Sequence, residues 1–213
     1  MSIKKPAKPI PESSYERFKY KLEEVSGNLS ERNLTLFLLG VATGYRMQDL
    51  VDLTIAEIKE ALNNEQFEIQ EKKQYRAWIT HIKKNPKSLK KEPDKRPHSI
   101  ESPLDNILKK YIKGKKNSEY AFPSQKGEGS KYISEKAYSE ILKKVAEDKK
   151  LKLKNISGHS LRKIYAKRLY EDNPNLEYVR IALGHKSIEV TKKYLGLDDE
   201  VRVDAAKVAA RKL

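Results

Sequence analysis

Leu183-Gly184-His185-Lys186-Ser187-Ile188-Glu189-Val190-Thr191-Lys192-Lys193-Tyr194-Leu195-Gly196 is the stretch on which the reading of this chain turns. A helix from Leu176 to Leu183 ends at Gly184, because glycine adopts the left-handed conformation of a helix C-terminus at no steric cost. Ser187 is an N-cap for a further short helix that runs towards Tyr194 and stops at Gly196. The stretch therefore reads helix, tight turn, helix, with a histidine in the turn and a tyrosine near the end. Taken singly, both side chains are ordinary. His185 fits a capping turn, and Tyr194 is one of 12 tyrosines with a ring to pack.

Upstream, Ser157 caps a helix from Gly158 to Tyr170. His159 and Arg162 stand three residues apart on it and share a face, while Leu161, Tyr165 and Leu169 point to the core from another side. An imidazole and a guanidinium beside a helix N-terminus make an anion site, although His-x-x-Arg alone fits two surface residues of a basic helix equally well. Lys131 to Ala146 is amphipathic, with Ile133, Ala137, Ile141, Leu142 and Val145 as its inner face, and Leu104 to Ile112 has helical spacing. Phe67 to Gln70 alternates apolar and polar as a half-buried strand does, and strand character resumes at His98–Ile100. Between them, Tyr75–Ile82 fits either a hairpin arm or a helix, and Lys83–Pro97 is a basic, proline-containing exposed loop. His81 and His98 read as ordinary loop or strand residues.

Further upstream, Ser30 caps a helix with Leu34, Phe37, Leu38 and Val41 on one face. Gly44 ends it, which puts Arg46 just after a tight turn and before a short helix from Met47 to Leu53. Tyr15, Phe18, Tyr20 and Leu22 give Glu12–Val25 a modest amphipathic pattern, and the first eleven residues are rich in Lys and Pro. At the other end, Val201, Ala205, Val208 and Ala209 form one stripe of a tail helix over Asp198–Leu213. The expected fold is α+β, mainly α-helical, with one small antiparallel sheet. Its expected divisions are an N-terminal arm or linker remnant over residues 1–28, a main domain over 29–196 and the tail helix over 197–213.

The chain has 213 residues with Lys and Arg totalling 45 against 30 acidic residues, a net charge of +15. Such an excess suits a polyanionic partner, because each neutralised phosphate releases a condensed counterion; a solvated Lys/Glu surface accounts for part of it. The absence of cysteine excludes disulfides, thiolate metal sites and cysteine nucleophiles. No apolar run reaches the roughly 20 residues of a membrane span, and no signal-peptide core opens the chain, so a cytoplasmic protein is expected. There is no Gly-x-x-x-x-Gly-Lys-Ser/Thr phosphate loop, His-Glu-x-x-His, Gly-x-Ser-x-Gly or Rossmann glycine run. Neither cofactor nor metal is expected.

In order along the chain, ATGYRMQDL (residues 42–50), SGHSLRKIYA (157–166) and LGHKSIEVTKKYLG (183–196) resemble the three boxes of the tyrosine recombinase, or phage integrase, family. The resemblance spans roughly Asn33 to Gly196. It implies the recombinase catalytic-domain fold, with Arg46 as the first arginine and Asp49 as its supporting acid. His159 and Arg162 would form the second box, His185 would be the second histidine and Tyr194 the nucleophile. A lysine on a strand hairpin completes the family's set. Lys73 is the closer match to it, with Lys72 adjacent, and Gln74 stands where the family has threonine.

The chemistry makes sense of these residue types together. Attack on a phosphodiester builds charge on non-bridging oxygens, and without a metal that charge must meet fixed donors, for which guanidinium is well suited. A phenol of pKa about 10 is a poor nucleophile at neutral pH until a base takes its proton. An imidazole of pKa about 6.5 is suited to that task, and a lysine would protonate the departing 5′-oxygen. The resemblance further implies double-stranded DNA as partner, a homotetramer on DNA with exchange of the C-terminal helix, and no membrane or small-molecule substrate. About thirty residues precede the region of resemblance, too few for the helical clamp domain of larger integrases. A fragment of a longer integrase and a minimal recombinase both fit. The same chemistry also serves type IB topoisomerases and telomere resolvases, and a catalytically silent DNA-binding relative is the non-enzymatic alternative.

Overall fold

The computed structural model describes residues 6–126 and 130–211. Helices α1 (Glu12–Ser26) and α2 (Ser30–Thr43) are joined by a single tight helical turn, Gly27–Leu29, and lead to α3 (Met47–Leu50) and α4 (Ile55–Asn63). Strand β1 (Gln66–Ile69), α5 (Lys72–Lys84) and β2 (Arg96–Ser99) follow. The remainder is helical: α6 (Ser102–Ile112), α7 (Glu135–Ala146), α8 (Gly158–Asp172), α9 (Leu176–Leu183), α10 (Ile188–Leu195) and α11 (Leu197–Ala210). The expected mainly helical α+β architecture is therefore present. β1 and β2 pair antiparallel, with Phe67 opposite His98 and Ile69 opposite Arg96.

α2 is the central element. Leu36, Phe37, Leu39 and Gly40 are all buried, so the helix is covered almost all round rather than along one stripe. It packs against α1, α6 and α8. Each apolar side chain of this size contributes roughly 1.5–3 kcal/mol through burial. A second, smaller cluster of Ala166, Val179 and Leu183 holds α8 and α9 together, with Tyr165, Leu169, Tyr194 and Leu195 packed on it. This cluster seats the segment that carries Tyr194.

Several expectations change on inspection of the packing. Residues 10–28 are not an arm: Ile10, Tyr15, Phe18 and Leu22 are core residues, and α1 lies against α2 and α7. The spacing of Tyr15, Phe18 and Leu22 already describes one helical face, and that face needs a partner. Lys4 and Lys5 lie outside the described residues. α7 begins at Glu135, with residues 131–133 extended, and Tyr138 rather than Ala137 faces inward. Tyr75–Ile82 belongs to a helix, α5, which buries none of its side chains; His81 sits on it. In the tail helix α11 no described side chain is buried, Leu197 at its start being half-buried and the described residues 201–210 exposed, so the helix does not pack onto the core of its own domain. Among the described residues no helix is long and apolar enough to cross a membrane.

Candidate active site

Gly44 closes α2 with φ +60°, and its N–H donates to the Gly40 carbonyl at 3.1 Å. An added Cβ there would lie 2.3 Å from the Tyr165 ring, so both the backbone twist and the close packing require glycine. The turn sends Tyr45 inward, where its hydroxyl donates to the Arg96 carbonyl, and it leaves Arg46 at the start of α3 aimed at Glu71. Gly184 does the same for α9 with φ +62° and delivers His185 from the far side. Ser187, the expected cap of α10, accepts from Val190 N–H at 3.4 Å.

Two arginines bridge these two helix ends. Arg162, on α8, donates through Nη1 to the Gly44 carbonyl and through Nη2 to the Leu183 carbonyl, both at 2.5 Å. Arg96, on β2, donates through Nη2 to Thr43 at 3.2 Å and through Nη1 to Ala182 at 2.8 Å. The last carbonyls of a helix have no intrahelical partner and sit at its negative end, so cationic donors satisfy them doubly. The Arg96 guanidinium also stacks 3.8 Å above the Tyr45 ring.

Glu71 neutralises the group. It is 2% exposed and forms ion pairs with Arg46, with Arg162 Nη1 at 3.3 Å and with Arg96 Nε at 3.4 Å. Burial alone would raise its carboxyl; the Arg162 and Arg46 charges more than offset that and hold it below the ordinary carboxylate range. Asp49, the expected supporting acid, instead accepts the Lys72 N–H at 3.0 Å, and burial raises its pKa. Burial, reinforced by the neighbouring Arg46 charge, lowers Arg162 to about 10, still cationic at neutral pH.

Around this cluster stand the remaining candidates. Tyr194 on α10 packs edge-on against His185, ring centroids 5.2 Å apart. Burial pushes its phenol up to about 12, against the pull of Arg162 and Arg46. His185 is lowered to about 4 by burial and then by the same two arginines, so it is neutral at pH 7. Its Nδ1 lies 3.1 Å from Thr191 Oγ1, which fixes the ring on α10. His159 is more open, with Nδ1 3.7 Å from Glu135 Oε1. Burial lowers its pKa; Glu135 opposes this, while Arg162, Arg46 and Lys73 add to it.

Lys73 stands exposed in the first turn of α5, close enough for its charge to act on His159. Lys72 points elsewhere, held by Asp52 and by the Gln48 carbonyl at 2.6 Å. The expected lysine thus sits on a helix that follows β1 directly, not on a short strand hairpin. Arg46, His159, Arg162, His185, Tyr194 and Lys73 all border one region. Glu71 and Arg96 were not foreseen, since each lies in a charged run with no periodicity, and only the pairing of Ile69 with Arg96 brings them together. Among the described residues no group of three or more His, Asp or Glu is placed to hold a metal ion.

The sequence profile of the Phage integrase family matches residues 10–200. A probable integrase/recombinase of Bacillus subtilis, YoeC, is 27% identical over 191 residues, covering 88% of this chain and 92% of that protein. A tyrosine recombinase of Thermosipho africanus is 31% identical over 101 residues, 47% of this chain and 34% of that protein. Among solved structures, the XerH site-specific recombinase bound to its difH substrate is similar with a TM-score of 0.64 and 20% identity, across 97% of this chain and 54% of that one. The Tn1549 transposon integrase in complex with circular intermediate DNA gives 0.62 and 17%, across 89% of this chain and 62% of that one. The chain therefore spans less than two thirds of either of these solved proteins. Two glycine-ended turns, bridged by buried arginines beside a tyrosine-bearing helix, lie within the matched region, and the chain belongs to the phage integrase family of tyrosine recombinases.

Proposed function

We propose that this chain is a site-specific DNA recombinase of the integrase or invertase type, which cuts and rejoins DNA through a 3′-phosphotyrosine at Tyr194. The observation that carries the reading is that Arg46 and Arg162 hold a single carboxylate between them, beside the Tyr194 ring and His185. An acid gripped by two guanidiniums supports this as the place where a phosphodiester would be gripped.

In the proposed step, Tyr194 Oη attacks phosphorus and its proton passes to His159. The bond to the 5′-oxygen breaks, and Lys73 gives that oxygen a proton. Arg46 and Arg162 hold the non-bridging oxygens, and His185, neutral in the free protein, hydrogen-bonds the phosphate or steadies Tyr194. The 3′-phosphotyrosine keeps the energy of the broken ester, so a 5′-hydroxyl from a second strand attacks it and releases Tyr194. No nucleotide hydrolysis enters. A phenol raised to about 12 also keeps the nucleophile protonated until phosphate and base are both in place.

Double-stranded DNA is the proposed partner; the net charge of +15 and the DNA bound in the similar XerH and Tn1549 integrase structures support it. Four copies would act on two duplexes, with α11 as the exchanged helix. Its support is the exposed stripe that includes Val201 and Val208, 67% and 49% exposed. The test is Tyr194→Phe on a nicked suicide substrate. Loss of the covalent adduct with DNA binding retained supports the assignment, and an adduct that persists in the variant refutes it.

A further inference from the structure

The anion site of the proposed reaction is already filled by part of the chain. Glu71 Oε1 lies 3.3 Å from Arg162 Nη1 and 3.4 Å from Arg96 Nε. Its Oε2 meets Arg46 and accepts from Gln74 Nε2 at 2.5 Å. Guanidinium groups recognise carboxylate and phosphate through the same planar array of N–H donors. A phosphate oxygen brought to these arginines therefore meets a buried charge of its own sign. Arg162 has little spare capacity in this state, because Nη1 serves both Gly44 and Glu71 and Nη2 serves Leu183. Something has to yield before DNA is gripped.

The local structure makes Glu71 the group that yields. Arg162 and Arg96 are anchored by helix-end carbonyls, and Arg96 also by the Tyr45 ring, whereas Arg46 is held by Glu71. Glu71 instead precedes α5, whose first turn its carbonyl starts by accepting Gln74 and Tyr75 N–H at 3.0 Å. α5 buries none of its side chains, and its first turn is tied to the fold by polar contacts of Lys72 with Asp49, Asp52 and the Gln48 carbonyl, so the turn shifts by exchanging those contacts without loss of apolar burial. Lys73 stands in the same turn, so departure of Glu71 repositions the lysine.

We infer that Glu71 is a positioning residue that holds Arg46, Arg96 and Arg162 converged without DNA and gives up its place to the scissile phosphate. Only the identity of the anion, a DNA phosphodiester, rests on the recombinase reading.

Inorganic sulfate is the probe, added to the DNA-free full chain at an ionic strength matched with chloride, with Tm as the readout. Wild type, its site filled by carboxylate, shows no sulfate-specific rise. Glu71→Gln, which keeps the shape and loses the charge, gains roughly 3–6 °C at a tenfold excess of sulfate over its Kd. Glu71→Asp, which draws the charge back by one methylene, gains part of that. A wild-type rise equal to that of Glu71→Gln overturns the inference, as does no sulfate gain in either variant, folded or not. On a nicked duplex, Glu71→Gln binds roughly tenfold tighter than wild type. Slower adduct formation at unchanged affinity makes Glu71 a fixed scaffold and overturns the inference. A sulfate response without any adduct from either protein supports the displaceable anion site and removes the recombinase reading instead.

Discussion

Arg162 donates to the carbonyl of Gly44 at 2.5 Å, so the arginine of the second sequence box holds in place the turn that presents Arg46, the arginine of the first. The same guanidinium reaches the Leu183 carbonyl, next to the turn that presents His185. One buried side chain therefore sets the relative position of segments separated by more than a hundred residues of sequence, and this geometry separates stability from chemistry in the two arginines. Arg162 is 2% exposed, and a lysine there would keep charge but satisfy only part of the bridge. Arg162→Lys is expected to cost roughly 3 kcal/mol of stability, seen as a fall in Tm, and to abolish the adduct. Arg46 has no such bridge, and a lysine keeps its charge beside Glu71; Arg46→Lys is expected to cost less stability than Arg162→Lys while reducing adduct formation by at least about a hundredfold. Equal losses of Tm in both variants would contradict the assigned division of labour.

Acid sensitivity follows from His185. Its folded pKa, lowered to about 4 by burial and the two arginines, lies below the roughly 6.5 of an unfolded histidine. Between those values the unfolded chain binds the extra proton, so stability is intact above pH about 6.5 and declines as pH falls towards 4. Between pH 7 and pH 5 this one group contributes a loss on the order of 2 kcal/mol. His98 and His159, also lowered, add in the same direction. His185→Gln should lose less stability than wild type over that interval in urea titrations; identical pH profiles would rule out the linkage.

Lys73 and Lys72 are distinguished by position. Lys73→Ala is expected to slow cleavage of an ordinary phosphodiester by roughly 10²–10⁴-fold. Replacing the bridging 5′-oxygen by sulfur, a leaving group that needs no proton, should restore most of that rate. Lys72, held by Asp52 and the Gln48 carbonyl, should behave as a structural residue whose loss sulfur does not rescue. Rescue of Lys72→Ala and not of Lys73→Ala would reverse the assignment.

The tail helix offers a further separation. No described side chain of α11 is buried, so removing residues 197–213 should change Tm by no more than about 0.5 kcal/mol equivalent. Adduct formation on a single nicked site should survive, whereas strand exchange between two sites, and assembly seen by sedimentation on DNA, should fail. Normal two-site recombination by the shortened chain would exclude helix exchange.

Most of the fold was legible because helices with a buried face advertise themselves through spacing and caps. Gly44, Gly184 and Ser187 mark their turns on their own chemistry, and the order of the three boxes located Arg46, Arg162, His185 and Tyr194. What was not legible has a physical cause in each case. α5 carries Tyr75, Trp78, Ile79 and Ile82 at helical spacing, but aromatic and β-branched residues suit a strand equally, and the helix buries none of them fully to decide between the two. Glu71 and Arg96 acquire their positions from strand register, which a charged run does not encode. Asp49 sits close to Arg46 in sequence, yet its Oδ1 accepts the Lys72 N–H and neither of its oxygens pairs with Arg46. The burial of α1 was readable from Tyr15, Phe18 and Leu22, and its polar surroundings hid it.

The most direct measurement traps the full chain on labelled, nicked duplex DNA, digests the complex and identifies the residue carrying the 3′-phosphate. The account predicts a single modified peptide bearing the label on Tyr194, formed without added metal or nucleotide. A label on any other side chain, or a substrate cut with no protein attached, would contradict it.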